Sequence, residues 1–551
     1  MKRRAALAPG ALALLGLVLA GRARFVQDDA FISFVYARNL AEGHGLVWFG
    51  ERVEGYTNFL WVLWMATGIR LGIEPIAWSY VGGLTAFAFL LHATWALGRI
   101  LLGDAAALVA LFIVVTNASV VSFATGGLET MLQAALLTQA ALVLARLATE
   151  PAAAGSSAPR VVRRAAMLSL LLGAAVLTRP DSVPPALVLG VAAGFRLRLI
   201  RARGTGRALV VPFVVVVGAH VLFRLLYYGE LLPNTYYAKV SWSPATASAG
   251  ALYLWRFLNA YLLWPVLGLG IVAFAVRRLE SDRGTSPALR VVWRELGIVV
   301  GVYCAGLVAL GGDFMEFRLF VPVMPLLALW LVRLLRCTSA RHGTAIAGVA
   351  AIVLAGASLQ HARTFRGVTS DRRLDSVPAL ANFYDVYPDR KWDAIGSELA
   401  RELGDTEAVI ALHAVGAIPY YSRLRTVDMY GLNDKKIARH GHRAPPGYRR
   451  PGHQRQVTLA DLRSRQVNFV IGHPTILRRG VLAEPQAAPF NAQWVRDTIS
   501  FGREPIGPVE LVAMPLETGG SLLLWYLTPS AAIDSVIASR SWERVQLDVR
   551  R

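Results

Sequence analysis

Two adjacent carboxylates, Asp28 and Asp29, follow the first apolar run of the chain. An Asp at the centre of a membrane-spanning helix costs roughly 2.5–3.5 kcal/mol, so we expect this pair at a helix end or in a wet cavity. The pair is either a solvated helix end or the carboxylates of a membrane-edge active site. In an active site, the like charges raise one pKa unless a metal or a cationic substrate group offsets them.

Five further polar clusters interrupt the apolar sequence. They cover 36–58, with Glu54 and Asn58; 124–130, with Glu129; 178–181, with Arg179 and Asp181; 228–239, with Asn234, Tyr237 and Lys239; and 311–318, with Asp313 and Arg318. Ordinary explanations exist, among them a helix N-terminus for Glu129, an Asp181 partner for Arg179 and an interfacial belt for Tyr237. The functional alternative is an anionic lipid headgroup, bound by Arg179, Lys239 and Arg318 against a carboxylate base.

The composition is that of a membrane protein. Of the 551 residues, 55% are hydrophobic and 17% are charged, whereas ordinary globular domains have about 45–50% and about 25%. In a soluble protein, a net charge of +21 would suggest nucleic-acid binding. In a membrane protein, the position of the arginines relative to the apolar runs is the informative feature. We predict no nucleic-acid partner. Cys304 and Cys337 lie in apolar segments, which excludes a disulfide scaffold and a cysteine zinc site.

Eleven apolar runs approach the length of about 20 residues that a membrane span needs. They lie near 5–21, 76–98, 105–122, 129–146, 165–178, 183–195, 208–227, 251–276, 294–310, 319–335 and 343–360. The first run also resembles a signal peptide, but the many spans that follow favour a retained helix. A twelfth run, 57–73, is ambiguous.

Arginine placement predicts the orientation, because Lys and Arg stay cytoplasmic in short loops. If the N-terminus is inside and 57–73 lies in the outer interface, the arginine-rich loops all fall inside, including 146–164, 196–207 and 277–294. The polar clusters and the C-terminal tail then fall on the extracytoplasmic side. A spanning 57–73 would reverse nearly all of these loops, so we predict eleven spans.

The sequence predicts two domains. Residues 1–360 form a transmembrane catalytic domain with a long first outer loop over 22–75. Residues 361–551 form an extracytoplasmic α/β domain, a candidate for acceptor or carbohydrate binding. In this second domain the stretches AVIALH, VNFVIG, VELVAM and LLLWYLT predict buried strands, and 391–403 predicts an amphipathic helix.

Two segments of the tail have unusual compositions. The segment 414–434 is either a sugar-binding surface or a buried strand with a turn, and its candidate side chains are Tyr420, Tyr421, Asp428, Asn433 and Asp434. The segment 435–456 is rich in Arg, His, Pro and Gly, which predicts a mobile loop.

An in-to-out first helix, an acidic pair after it and a long first outer loop resemble the GT-C membrane glycosyltransferases. The stretch 28–61 is similar to the mycobacterial terminal β-(1→2)-arabinofuranosyltransferases in its Asp-Asp pair, RNL, G-x-G, GERVE and a Thr before an apolar run. The matching positions are Asp28, Asp29, Arg38, Asn39, Leu40, Gly43, Gly45, Gly50, Glu51, Arg52, Val53, Glu54 and Thr57. The chain departs from that pattern at Phe49, where the family has Asn, and over 59–64.

The resemblance implies transfer of a sugar, with arabinofuranose the local analogy, from a polyprenyl phosphate to an acceptor hydroxyl, with inversion. It implies that Asp28 is the general base and that Asp29 positions the acceptor or shares that role. Glu54 and Glu129 would orient sugar hydroxyls. From their charge and predicted side of the membrane alone, Arg179, Lys239 and Arg318 would bind the departing phosphate. The further candidate substrate-binding residues are Arg38, Thr57, Asn58, Asn234, Tyr237 and Asp313.

The predicted partners are a polyprenyl-phosphate sugar, a glycan or glycolipid acceptor and membrane lipid. No cofactor is predicted, although an Asp pair can bind a divalent cation. The predicted location is the bacterial inner membrane, with the site outside. Two alternatives remain, a polytopic transporter or lipid-linked-sugar flippase and a non-catalytic envelope protein that binds a polymer.

Overall fold

The computed structural model describes residues 2–150, 158–200, 203–240, 243–281, 286–367, 374–381, 391–445, 450, 452–502, 504–517 and 519–549. The predicted low-complexity linker 151–159 therefore lies largely outside the described residues. Within them, a bundle of apolar helices precedes a C-terminal α/β unit.

The N-terminal part of the chain is entirely helical. Its helices are α1 (Lys2–Arg22), α2 (Asp28–Ala41), α3 (Phe59–Arg70), α4 (Pro75–Leu102), α5 (Asp104–Thr116), α6 (Ala118–Ser122), α7 (Thr130–Ala148), α8 (Ala158–Thr178), α9 (Val183–Ile200), α10 (Thr205–Tyr228), α11 (Asn234–Lys239), α12 (Pro244–Ala260), α13 (Leu263–Ser281), α14 (Pro287–Leu310), α15 (Met324–Arg336) and α16 (Gly343–Thr364). Short 3₁₀ helices cover Pro180–Ser182 and Arg318–Val323.

Eight helical segments of the described chain are long and apolar enough to cross a membrane, or nine if the bent pair α12–α13 is one span. The first run and the run 105–122 give the shorter apolar helices α1 and α5, so the count of eleven spans is not confirmed. The outer helices expose large apolar side chains such as Leu226 of α10, which is 77% exposed, as expected for contact with lipid.

Three apolar runs differ from their predictions. The run 57–73 contains the 12-residue α3, which alone is too short to span a bilayer. The run 251–276, predicted as one span, breaks between α12 and α13 with a bend of 85°. The run 105–122 breaks at Asn117, whose side chain accepts from the Val120 N–H and so starts α6.

The C-terminal part begins with α17 (Val377–Ala381) and α18 (Trp392–Leu403). It continues with β1 (Val409–Leu412), α19 (Ala417–Ser422), β2 (Arg425–Asp428), α20 (Lys435–His440), β3 (His442–Arg443), β4 (Arg455–Gln456), α21 (Leu459–Ser464), β5 (Phe469–Gly472), β6 (Ile476–Leu477), α22 (Ala488–Thr498), β7 (Gly507–Pro515), β8 (Ser521–Tyr526), α23 (Ala531–Ser539) and β9 (Glu543–Val549). The four apolar stretches predicted as strands are confirmed as β1, β5, β7 and β8, and the predicted amphipathic helix as α18.

The main sheet has the order β2-β1-β5-β8-β7-β9, and β6 pairs with β8. The pairs β2-β1 and β1-β5 are parallel, and the pairs from β5 to β9 are antiparallel. The three parallel strands therefore end at one edge of the sheet. The segment 435–456 is not a loop throughout, because it contains α20 and the short pair β3-β4.

The helix α2 joins the two parts of the molecule. Its N-cap residue, Gln27, accepts the Asp29 N–H through its side chain. One side of α2 packs on α3, and another packs on α19 of the C-terminal part, where Phe31 contacts the rings of Tyr420 and Tyr421 at 5.5 and 5.7 Å. The first ten residues of α2, Asp29 excepted, are buried. The acidic pair therefore starts a helix that both parts of the chain hold in place.

The two ends of the helical bundle differ in their polar residues. At one end, Arg164 pairs with Glu150, and Arg196 donates to the carbonyl oxygens of Leu147 and Glu150. The other ends of α7, α8 and α9 lie next to Glu129, Arg179 and Asp181. Arg164 and Arg196 therefore lie at the opposite end of these three helices from Glu129, Arg179 and Asp181.

Candidate active site

Asp28 is tied to the C-terminal part of the molecule. Its carboxylate oxygens accept the N–H groups of Gly416, at 3.2 Å, and Ala417, at 2.7 Å, and the side chain is 7% exposed. A Cβ on Gly416 would lie 2.5 Å from the Asp28 carboxyl carbon, so only glycine allows this approach. Burial raises the pKa of Asp28 to about 7, although the Ala417 hydrogen bond lowers it. Asp28 therefore links α2 to α19.

The environment of Asp29 differs from that of Asp28. Asp29 is half-buried and lies in a cluster of charged side chains at the mouth of the helical bundle. Burial raises its pKa, the neighbouring Lys239 and Arg318 lower it, Asp313 raises it, and Arg450 lowers it. The net pKa is above the 3.8 of an ordinary Asp. Within the described ranges its carboxylate accepts no hydrogen bond, so it is available to a substrate.

Three cations act electrostatically on Asp29, each from a different element. Arg318 follows Phe317, which has a left-handed φ of 46°, and donates from Nε and Nη2 to Asp313 at 2.9 and 2.8 Å. Lys239 ends α11, lies beside Gly452 and forms no ion pair within the described parts of the chain. Arg450 pairs with Asp375 at 3.1 Å and lies over the Phe314 ring.

Glu129 and Arg179 belong to a buried polar network beside this cluster. Arg179 donates to Glu129 at 2.7 Å and to Asp181 at 2.9 Å. The second oxygen of Glu129 accepts from Asn58, whose amide also donates to Ser33 of α2. The ordinary pairing of Arg179 with Asp181 is therefore present, and two carboxylates neutralise its charge. Thr57 is half-buried beside Asn58 and forms no side-chain hydrogen bond within the described residues.

Glu54 is not directed at the Asp29 cluster. Its carboxylate forms a bidentate pair with Arg224 of α10, at 2.6 and 3.0 Å, and Glu54 is only 2% exposed. Arg224 also donates to the Leu231 carbonyl oxygen. The prediction that Glu54 orients a sugar does not fit this geometry, because both of its oxygens are held by an arginine in the interior.

We expect Arg224→Met to lower the free energy of unfolding by about 3–5 kcal/mol, because it leaves the buried Glu54 carboxylate without its partner. Thermal unfolding in detergent measures the loss. The Glu54→Gln, Arg224→Met double variant should recover part of the stability, since it leaves no buried charge. Arg207→Met, on an exposed position of the same helix, is the control. A single variant as stable as that control would contradict the prediction.

Three more predicted substrate-binding residues contact the C-terminal part instead. Arg38 donates to the Tyr420 carbonyl oxygen and lies 4.6 Å over that residue's ring. Asn234 donates to the carbonyl oxygens of Gly431 and Leu432 at 2.8 and 2.9 Å. Tyr237 lies under the guanidinium of Arg439 at 4.2 Å. The Arg38 guanidinium and the Asn234 amide are thus held by backbone carbonyl oxygens, and one face of the Tyr237 ring is covered by a guanidinium.

The predicted sugar surface in 414–434 is also used internally. Tyr420 and Tyr421 pack against α2, as described above. Asp428 accepts the backbone N–H groups of Tyr430, Gly431 and Asn433 and closes a turn. Asp434 caps α20 and pairs with Arg465. These five side chains therefore contact other parts of the protein, as in the alternative of a buried strand with a turn.

The structure brings together four of the predicted residues, Asp29, Lys239, Asp313 and Arg318, and adds Arg450. Sequence reasoning missed Arg450, although the abundance of Arg and His in 435–456 was a signal. Within the described residues, no group of three or more His, Cys, Asp or Glu side chains could hold a metal ion.

Curated proteins of named activity match about half of the chain. It is 30% identical over 344 residues to a terminal β-(1→2)-arabinofuranosyltransferase of Mycobacterium tuberculosis, covering 55% of this chain and 52% of that protein. The enzyme of the same name from Corynebacterium glutamicum is 30% identical over 340 residues, covering 56% and 47%. The chain therefore aligns with only about half the length of these relatives. A family model described as a domain of unknown function (DUF8728) matches residues 384–510.

Solved structures share the architecture. ArnT from Cupriavidus metallidurans, bound to undecaprenyl phosphate, superposes with a TM-score of 0.55 at 11% identity over 95% of this chain and 98% of that one. The Archaeoglobus fulgidus oligosaccharyltransferase superposes with a TM-score of 0.50 at 10% identity over 94% and 73%. The chain is thus a polytopic membrane protein with the fold of the GT-C glycosyltransferases, and it is similar in sequence to terminal β-(1→2)-arabinofuranosyltransferases.

Proposed function

We propose that the protein transfers a sugar, most simply arabinofuranose, from a polyprenyl phosphate to an acceptor hydroxyl of a cell-envelope glycan or glycolipid. The observation that supports this most is the Asp29 carboxylate, which lies among Lys239, Arg318 and Arg450 at one mouth of the helical bundle. A carboxylate beside an anion-binding cluster is what a transfer from a phosphate to a hydroxyl requires.

In the proposed reaction the acceptor oxygen attacks the anomeric carbon while the bond from that carbon to the phosphate oxygen breaks. The acceptor proton passes to the carboxylate, and polyprenyl phosphate leaves. Attack on the face opposite the phosphate inverts the anomeric configuration. No other group need be oxidised or reduced.

We assign the general base to Asp29 rather than to Asp28, the residue that the resemblance implied. Both oxygens of Asp28 already accept backbone N–H groups, which would have to be given up or shared as it took a proton. The Asp29 carboxylate has no such partner within the described residues, and a pKa raised above the ordinary value makes it a stronger base. Asp28 instead positions the start of α2.

The cations would stabilise the negative charge that develops on the departing phosphate. Lys239 is the best placed to do so, since within the described parts of the chain no carboxylate pairs with it. Arg318 and Arg450 each keep one carboxylate partner, Asp313 and Asp375, and supply further positive field. Arg179, already paired with two carboxylates, acts through Glu129 and not on the phosphate.

The names of the relatives and neighbours support the substrates. Terminal β-(1→2)-arabinofuranosyltransferases are the sequence relatives, and the ArnT structure holds undecaprenyl phosphate. We place the protein in a bacterial inner membrane with the Asp29 cluster on the extracytoplasmic side. The positions of the arginine-rich loops, at the far ends of α7, α8 and α9, support that orientation.

The test is a transfer assay on the full-length protein in nanodiscs. The protein is incubated with each member of a panel of polyprenyl-phosphate sugars as donor, beginning with decaprenyl-phosphate arabinofuranose. The acceptor is an arabinofuranose oligosaccharide with a free 2-hydroxyl. Release of polyprenyl phosphate together with a longer oligosaccharide is the expected result. Movement of the lipid-linked sugar across the bilayer without any cleavage would overturn the proposal in favour of a flippase.

A further inference from the structure

A group of aromatic and histidine rings lies at one edge of the C-terminal sheet. His413 follows β1, His473 follows β5, and Tyr430 lies two residues after β2. These are the three neighbouring parallel strands, so the residues that follow them meet at the same carboxyl edge. In open α/β sheets, ligands bind in the crevice outside the carboxyl ends of parallel strands.

The rings form one packed platform. The His413 ring stacks on Tyr430 with centroids 4.5 Å apart, and His473 lies 5.2 Å from His413. His453 meets the Tyr430 ring edge-on at 4.6 Å. His413 and Tyr430 are buried, whereas His473 is exposed and His453 is partly exposed. The two buried rings therefore support two rings that have solvent-exposed surface.

The inner member of the platform is held rigidly. The Gln456 amide nitrogen lies 3.1 Å from Nε2 of His413, while the same amide donates to the Thr498 carbonyl oxygen and accepts the Phe501 N–H. Since an amide nitrogen can only donate, Nε2 of His413 must accept and its proton must be on Nδ1. This arrangement requires a neutral His413 ring and anchors it to the loop after α22.

The platform adjoins the Asp29 cluster. His453 contacts the ring of Phe314 at 5.5 Å, and the guanidinium of Arg450 lies 5.1 Å from the centre of the same ring. The charge of Arg450 acts on both Asp29 and His473. Contacts through Phe314 and the charge of Arg450 thus connect the platform to the surroundings of the proposed base.

His413 and His473 carry no charge at neutral pH. Surrounding protein atoms and the Arg450 cation lower the pKa of His473 to about 4, and burial lowers the pKa of His413 well below its usual 6.5. A neutral imidazole offers one donor and one acceptor, and aromatic rings offer apolar faces. These groups suit a neutral polyhydroxyl ligand, whereas a phosphate would bind at the neighbouring cations.

We propose that the exposed rings of His473 and His453, supported by His413 and Tyr430, form the subsite for the neutral sugar acceptor. This inference rests on the proposed glycosyl transfer and names the part of the chain that selects its acceptor. The two substrates then bind at chemically different places. The charged donor phosphate binds beside Lys239 and Arg318, and the uncharged acceptor sugar binds at the carboxyl edge of β1 and β5.

The test compares His473→Ala, His453→Ala and their double variant with His440→Ala, an exposed histidine at the end of α20 in the same part of the chain. Because the double variant removes the ring faces and polar atoms that would contact the sugar, we expect it to raise the acceptor KM roughly tenfold. The KM for decaprenyl-phosphate arabinofuranose should stay unchanged. His473→Asn, which keeps a polar group at that position, should lie between wild type and His473→Ala.

Binding measured without turnover separates this inference from the proposed function. Titration of an arabinofuranose tetrasaccharide into the full-length Asp29→Asn protein reports on the subsite alone, and the double histidine change in that background should weaken binding by the same factor. If wild type transfers sugar but neither the acceptor KM nor binding responds to the histidine changes, the subsite is wrong and the reaction stands. If the tetrasaccharide binds through these histidines but no donor on the panel is cleaved, the reaction is wrong and the subsite stands. If the Asp29→Asn protein does not bind the tetrasaccharide, the sugar subsite is overturned.

Discussion

Replacing Asp29 by Asn is expected to lower kcat for sugar transfer by about 10²–10⁴-fold, because it removes the group that accepts the proton of the attacking hydroxyl. Asn has nearly the same size and keeps a hydrogen-bonding side chain, so folding and donor binding should change little. Polyprenyl phosphate release, measured at saturating donor and acceptor, reports the effect. Thermal unfolding shows whether the variant protein is intact.

Asp28→Asn is the matched control for that experiment. Its amide oxygen can still accept one N–H from the start of α19, so we expect a modest loss of stability and transfer within about tenfold of wild type. An inactive Asp28→Asn beside an active Asp29→Asn would return the role of base to Asp28. Equal and complete losses in both would indicate that the carboxylates act as one unit.

Lys239→Met is expected to lower kcat/KM by about 10²–10³-fold, the effect of removing one preorganised group that stabilises charge in a transition state. Methionine keeps most of the length of the side chain and removes the ammonium group, with its charge and its N–H donors. Lys436→Met is the control, because Lys436 pairs with Asp461 on an exposed surface and lies outside the cluster. A variant with unchanged kcat/KM would remove Lys239 from the phosphate site.

The same variant changes the pH dependence in a defined direction. A carboxylate base is active when ionised, so kcat/KM should rise with pH through the pKa of Asp29, which lies above the ordinary 3.8. Lys239 lowers that pKa by favouring the charged form. Removing Lys239 should therefore move the acid limb of the pH profile to higher pH, whereas the Lys436→Met profile should coincide with that of wild type. An acid limb that stays in place would separate Lys239 from Asp29.

The membrane character and the strands were predictable from the sequence because they depend on local patterns. A run such as 208–227 is apolar over its whole length, and the buried strands β1 and β5 are short and continuously apolar. The breaks were less visible, since the 85° bend between α12 and α13 lies inside one apolar run. Hydropathy averages over a window and does not register where a helix changes direction.

For the candidate site too, some features were predictable from local sequence and others were not. Sequence alone determined that Asp28, Asp29, Lys239, Asp313 and Arg318 are costly residues beside apolar runs, and therefore that they need partners or a function. Tertiary structure alone decided which of them have protein partners. Asp28 and Asp29 are adjacent in sequence, yet successive helix positions point about 100° apart. One carboxylate therefore meets the backbone of residues 416–417 and the other meets cations from three separate segments, and these contacts span up to about 420 positions of the chain. No local pattern encodes such pairings, because they exist only once α2 is packed between the helical bundle and the sheet.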